Sequence, residues 1–106
     1  MNFDTCIQAC RDCALTCENC AASCLREDNV QMMARCIQLD LDCAAMCQLA
    51  AVMMTRQSPF AKRFCALCAE VCQACGEECA KHEAGHCQAC SKACMSCAEE
   101  CRRMAA

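Results

Sequence analysis

Cysteine recurs at regular intervals along most of this chain, separated by short stretches of other residues. In three stretches the cysteines follow one another in strictly alternating steps of three and four residues, which averages about 3.5 and marks one face of an α-helix. A β-strand would require steps of two. The residues between the cysteines are mainly Ala, Glu, Gln, Arg and Lys, which favour helix. The pattern therefore predicts helices with cysteine-lined faces.

The cysteines fall into four groups, and each group predicts one helix. The first group is Cys6, Cys10, Cys13, Cys17, Cys20 and Cys24, and the second is Cys36, Cys43 and Cys47. The third group is Cys65, Cys68, Cys72, Cys75 and Cys79, and the fourth is Cys87, Cys90, Cys94, Cys97 and Cys101. We expect helices at about Asn2–Glu27, Asn29–Gln57, Pro59–His82 and His86–Met104, to within about 2 to 4 residues at each end.

Residues that begin and end helices support these boundaries. Ser58-Pro59 has the form of an N-cap followed by proline at the first helical position. Asn29 is the predicted N-cap of the second helix, and Gly85 lies in the last link. Links this short make consecutive helices antiparallel neighbours, so the sequence predicts an all-α, up-down-up-down four-helix bundle formed by residues 1–106 as one domain.

The composition requires the core of this bundle to be built from thiols. The chain has 19 Cys, 3 Phe and no Trp or Tyr. So much cysteine usually indicates a disulfide-bonded secreted protein. Here the cysteine count is odd, Gly and Pro are scarce, and the N-terminal residues lack the basic and apolar stretches of an export signal. We therefore expect a cytoplasmic protein with reduced thiols.

Charge and hydropathy exclude two further classes of partner. The longest uncharged run, Cys43 to Thr55, is shorter than the roughly 20 residues that span a bilayer, so we expect no membrane segment. The net charge is -3, and basic residues are interspersed with acidic ones rather than gathered in a stripe. Such a chain is not expected to bind nucleic acid.

The spacing of the cysteines points to a soft metal ion. CxxC and CxxxC pairs interleave, and on a helix both spacings bring Cβ atoms to within about 5 to 6 Å. Thiolates select Cu(I), zinc or iron–sulfur clusters. Zinc prefers separate tetrahedral sets of four ligands, and iron–sulfur cysteines follow other spacings. A continuous stripe suits Cu(I) best, since Cu(I) accepts two or three sulfur ligands and bridges between them.

Charge balance favours the same ion. Each thiolate carries one negative charge and each Cu(I) one positive charge, so a core filled near one ion per sulfur is close to neutral. A zinc ion held by four thiolates would leave a dianion at every site. Without metal, the thiols are expected to stay protonated and to pack as small apolar groups. Loading should then release protons.

These stripes on four helices, with no export signal, resemble the bacterial copper storage proteins, in particular their cytosolic branch. The resemblance extends over essentially the whole chain. It implies a homotetramer of four-helix bundles that holds many Cu(I) ions, with the cysteines from Cys6 through Cys101 as ligands. The second helix departs from the full pattern, because Leu39 or Asp40 and Ala50 stand where further thiols would be expected.

Four further residues are candidate ligands at one end of the bundle. His82 and His86 lie at the link between the third and fourth helices, and Met32 and Met33 belong to the same end in an antiparallel bundle. We hypothesise that this end is the mouth, where imidazole and thioether groups offer exchangeable ligands to incoming Cu(I). The alternative is that both histidines are solvated loop residues. Asp40 stands in or beside a cysteine slot, where it could be an axial carboxylate near the metal. An exposed helix residue is the preferred interpretation, because a lone buried carboxylate is costly, and Asp40 is left out of the site.

The second helix also predicts association between chains. Ile37, Leu41, Leu49 and Val52 lie away from its cysteine face, so this helix is apolar nearly all round. A helix of that kind is buried on two sides. We therefore expect a homo-oligomer that associates through the second helix.

Alternative functions remain open at this point. They are a zinc or other soft-metal store, a thiol-redox protein, and a metallochaperone that hands Cu(I) to an unidentified chaperone or efflux partner. A redox enzyme is not expected, since no general base or substrate pocket accompanies the CxxC pairs. A store should bind on the order of one ion per thiol, whereas a chaperone should bind one or two.

Overall fold

The computed structural model describes residues 2–106, which form four long helices and no strand. Helix α1 spans Asp4–Cys24, α2 spans Ala34–Thr55, α3 spans Ala61–Ala80 and α4 spans Gly85–Ala105. A short 3-10 helix, Val30–Met33, leads directly into α2. Each α-helix carries one of the four cysteine groups, as predicted from the spacing.

The four helices form a closed antiparallel bundle. α1 packs against α2 and α4, and α3 packs against the same two helices on the other side. The molecule is a rod of 45 × 18 × 17 Å, so its long dimension is set by helices that run side by side. The predicted up-down-up-down architecture is confirmed.

The helix ends differ from the prediction by a few residues. α3 begins at Ala61 rather than Pro59, although the Ser58 hydroxyl accepts a hydrogen bond of 3.1 Å from the backbone N–H of Phe60, as a cap would. The Asn29 side chain makes no capping bond, and the first turn after it is a 3-10 turn. At the other end of α2, Gln57 takes a left-handed conformation with φ 52°. This conformation ends the helix and turns the chain toward α3.

Cysteine and alanine fill the interior. All nineteen cysteines are buried free thiols, which confirms the predicted thiol core. Alanines such as Ala14, Ala44, Ala69 and Ala98 are buried beside them and let the helices approach closely. At the end of the bundle opposite the α3–α4 link, the larger side chains Phe3 and Met54 are buried.

One helical stretch within residues 2–106, Val30–Thr55, is long and apolar enough to cross a membrane by length and composition. Its cysteines, Cys36, Cys43 and Cys47, face the bundle core and are fully buried. A core helix of a bundle can have the same length and composition.

Candidate metal centre

The sulfur atoms form a continuous ladder along the bundle axis. Neighbouring thiols on different helices lie at contact distance: the Cys17 and Cys94 Sγ atoms are 3.6 Å apart, and the Cys43 and Cys72 Sγ atoms are 3.6 Å apart. Thiols on one helix are similarly close, as in the 3.9 Å between Cys43 and Cys47. The alternating steps of three and four therefore bring sulfurs from all four helices into one column.

Several sets of four cysteines have all their sulfurs within 4.8 Å of one another. These sets are Cys10, Cys47, Cys68 and Cys97; Cys13, Cys47, Cys72 and Cys97; Cys13, Cys17, Cys43 and Cys94; and Cys17, Cys75, Cys90 and Cys94. They share members, since Cys13, Cys17, Cys47, Cys94 and Cys97 each belong to two of them. The core is thus a series of overlapping sites rather than separate quartets.

The buried side chains of residues 2–106 carry no positive charge. Of the side chains buried among residues 2–106, Asp40 and Glu78 are the ones that titrate besides the thiols, and both are acids. Burial raises the pKa of the Cys24 thiol above its usual value. Burial raises the pKa of the Cys87 thiol to about 11. Without metal, these thiols are therefore protonated at neutral pH.

Asp40 lies inside the thiol column, so the expectation that it is exposed was wrong. Its side chain has no exposed surface. The thiols of Cys75, Cys79 and Cys90 donate hydrogen bonds of 3.2, 3.3 and 3.2 Å to its Oδ1 atom. These three hydrogen bonds satisfy the carboxyl group in the core. They offset the cost of burying it.

The position of Asp40 follows from the period of the second helix. It stands four residues after Cys36 and three before Cys43, exactly one step of the stripe from each. Burial raises the pKa of Asp40 to about 10. The carboxyl group is therefore neutral at pH 7. The heptad period thus places Asp40 in the slot where a further thiol was expected.

His86 joins three thiols at the end of the column nearest the α3–α4 link. Its Nδ1 atom lies 3.5 Å from the Sγ of Cys87, 3.6 Å from that of Cys20 and 3.9 Å from that of Cys24. These four residues form another set of possible metal ligands. The Nε2 atom of His86 lies 3.0 Å from the Oε1 atom of Glu27, a residue that the sequence pattern did not single out.

His82 lies at the same end but contacts a carboxylate instead of a thiol. Its Nε2 atom is 3.0 Å from Oε2 of the buried Glu78. Arg35 and Lys81 approach the other oxygen of Glu78, at 3.4 and 3.5 Å. His82 is thus held in an ion-pair cluster that joins the start of α2 to the end of α3.

A cavity of about 690 Å³ opens at this end of the bundle. Met32, Met33, His82, His86 and Glu27 contribute to its lining. Met32 is 74% exposed, whereas Met33 is 3% exposed. The structure therefore brings the four predicted residues of the mouth to one opening, and of these His86 is the one placed against the thiols.

The family model for copper storage proteins, Csp, matches residues 1–106. A cysteine-rich protein from Bacillus subtilis, YhjQ, is 52% identical over 103 residues, which is 97% of this chain and 95% of that protein. That relative is itself described as uncharacterised.

Solved structures of copper storage proteins match at least 94% of this chain. The Cu(I)-bound copper storage protein BsCsp3 is 51% identical, with a TM-score of 0.96 and complete coverage of both chains. A cytosolic copper storage protein from Streptomyces lividans, with five coppers, is 38% identical with a TM-score of 0.91, covering 94% of this chain and 88% of that one. With its full-length match and its column of thiols from four helices, this chain belongs to the copper storage protein family.

Proposed function

We propose that this protein stores Cu(I) in the cytoplasm, with many ions per chain bound to the thiolates that line its core. The observation that carries the proposal is the column of overlapping thiol sets, in which neighbouring sulfurs lie within 4.8 Å. Its relatives include a Cu(I)-bound protein and one that holds five coppers. The proposed ligands are the nineteen cysteines together with His86.

Overlapping sites favour Cu(I) over zinc. Cys47 belongs to two sets of four, so it would have to serve two tetrahedral zinc ions at once. Two Cu(I) ions accept a bridging sulfur and leave the core near neutrality when about one ion is bound per thiolate. No buried cation among residues 2–106 is available to balance excess thiolate charge.

Entry is proposed at the cavity near the α3–α4 link. His86 and its three thiol neighbours form the inner part of this mouth. Met32, Met33 and His82 line the same cavity, where a thioether or imidazole offers a weaker contact to an incoming ion. The donor and the acceptor of the copper are then partners that dock at this end.

The proposal assigns residues 1–106 to one domain whose role is binding and release rather than catalysis. Four helices contribute thiols to one shared core. Copper ions are its ligands, and neither nucleic acid nor a membrane is a proposed partner.

Association into a homotetramer is part of the proposal, through the outer face of α2. Leu41, Leu49 and Val52 on that face are 49%, 43% and 43% exposed, which is unusual for three large apolar side chains on one helix.

Sedimentation at micromolar concentration should give a mass of four chains. Leu49→Glu combined with Leu41→Glu should shift the protein to smaller species, and a native monomer would contradict the assignment.

Loading should release about one proton for each Cu(I) bound, until the thiols are consumed. Thiols whose pKa is raised by burial, such as Cys24 and Cys87, start protonated, and each must lose its proton to bind the ion. An anaerobic titration of weakly buffered protein with Cu(I), in the presence of a pH indicator, measures the number of ions bound and the number of protons released per chain. A plateau after one or two protons per chain would indicate a chaperone instead of a store.

A further inference from the structure

Glu27 contacts His86, whose imidazole faces the thiol column. It follows α1 at the mouth, and its side chain is 37% exposed. Its Oε1 atom lies 3.0 Å from Nε2 of His86, whose side chain is 16% exposed. Glu27 itself is not part of the set that His86 forms with Cys20, Cys24 and Cys87.

This contact decides which nitrogen of His86 carries the proton. An ionised carboxylate only accepts hydrogen bonds, so Nε2 must be the protonated nitrogen. In a neutral imidazole the Nδ1 lone pair is then free, and Nδ1 is the atom that lies 3.5 to 3.9 Å from the three thiols. A carboxylate on the outer nitrogen also fixes the plane of the ring and makes the inner nitrogen more basic.

The other histidine of the mouth provides an internal comparison. His82 Nε2 makes a contact of the same length, 3.0 Å, with Glu78. Arg35 and Lys81 share that carboxylate. This ion-pair cluster links α2 to α3. Within residues 2–106, the thiols that contact His86 do not contact His82. A carboxylate next to a histidine is therefore not enough; the ring must also be aimed at sulfur.

We propose that Glu27 is a positioning residue for copper entry: it holds His86 in the Nε2–H tautomer, with Nδ1 turned toward Cys20, Cys24 and Cys87. The inference rests on the proposed storage function, and it assigns to Glu27 a role that the cysteine pattern does not contain. Glu27 acts through His86 and does not itself bind the ion.

Two measurements on Glu27→Ala test the proposal. In the metal-free protein, nitrogen NMR of His86 should show the Nε2–H tautomer in the native chain and a mixture of tautomers in the variant. The affinity for the first equivalents of Cu(I), supplied from a competing bicinchoninate complex, should fall about tenfold. Glu27→Gln keeps an acceptor oxygen and should restore the tautomer and most of the affinity.

Matched variants separate positioning from a general effect of charge. Asp28→Ala removes an exposed carboxylate from the same end of the bundle, outside the lining of the cavity, and should leave the affinity close to native. In a His86→Ala background, Glu27→Ala should have no further effect, because its effect passes through the ring. An unchanged tautomer in Glu27→Ala, or an equal loss of affinity with and without His86, would overturn the proposal. Failure of the storage function is seen separately, as a native chain that binds only one or two ions.

Discussion

Replacing Asp40 with Asn should remove most of the pH dependence of stability of the metal-free protein between pH 5 and 8. The pKa of Asp40 is raised from 3.8 to about 10, because the carboxyl group is buried among thiols. Within that window the folded chain therefore keeps a proton that the unfolded chain releases. Raising the pH then favours the unfolded state, by about 1.4 kcal/mol per pH unit for this one group.

The sign of this effect is the reverse of that for a carboxylate held in a salt bridge. The stabilising contribution is fully present below pH 4 and is lost progressively as the pH rises toward 10. Urea unfolding of the reduced, metal-free protein at a series of pH values measures it. Asp42→Asn, an exposed carboxylate on the same helix, should leave the native slope unchanged. Equal slopes for the native chain and Asp40→Asn would show that Asp40 is ionised in the core.

Changing Cys43 and Cys94 together to Ser should cause the largest loss of copper capacity expected from two substitutions. Their sulfurs lie 3.9 Å apart at the middle of the column. Cys43 Sγ is also 3.6 Å from that of Cys72, and Cys94 Sγ is 3.6 Å from that of Cys17. Each sulfur is placed to bridge ions above and below it. The double substitution should therefore lower the capacity by about two to four ions per chain. The lower figure counts one ion per lost thiolate, and the higher one adds the ions that these sulfurs bridge.

The matched control is Ala44→Ser with Ala98→Ser. These alanines are 2% and 0% exposed, so the control buries the same two hydroxyl groups and removes no sulfur. It should bind as many ions as the native chain. Copper retained after gel filtration in the presence of a chelator is the measurement. An unchanged capacity in the Cys43 and Cys94 variant would mean that the ions are held elsewhere.

The period of the cysteines is enough to predict the bundle, because residues that recur every 3.5 positions lie on one face of an α-helix. Four such stripes joined by short links can bury their thiols only against one another. The helix ends were harder to predict, since they depend on local backbone geometry. The left-handed Gln57 and the 3-10 turn at Val30–Met33 leave no clear trace in the pattern.

The polar members of the site depended on contacts that the sequence does not reveal. The expectation that Asp40 is exposed holds for a charged carboxylate that has no hydrogen-bond partners. Its donors, Cys75, Cys79 and Cys90, come from α3 and α4 and meet it only in the folded chain. Glu27 likewise reaches His86 across 59 residues of sequence. The assignment of each cysteine as a ligand stays a prediction.

An anaerobic titration of the native protein with Cu(I) against a competing chelator, with thiols counted before and after, tests the central claim most directly. Freshly isolated protein should present nineteen reduced thiols. It should take up on the order of one Cu(I) per thiol before the chelator begins to hold the metal. Saturation at one or two ions, or thiols already paired as cystines in fresh material, would contradict a copper store built on a reduced core.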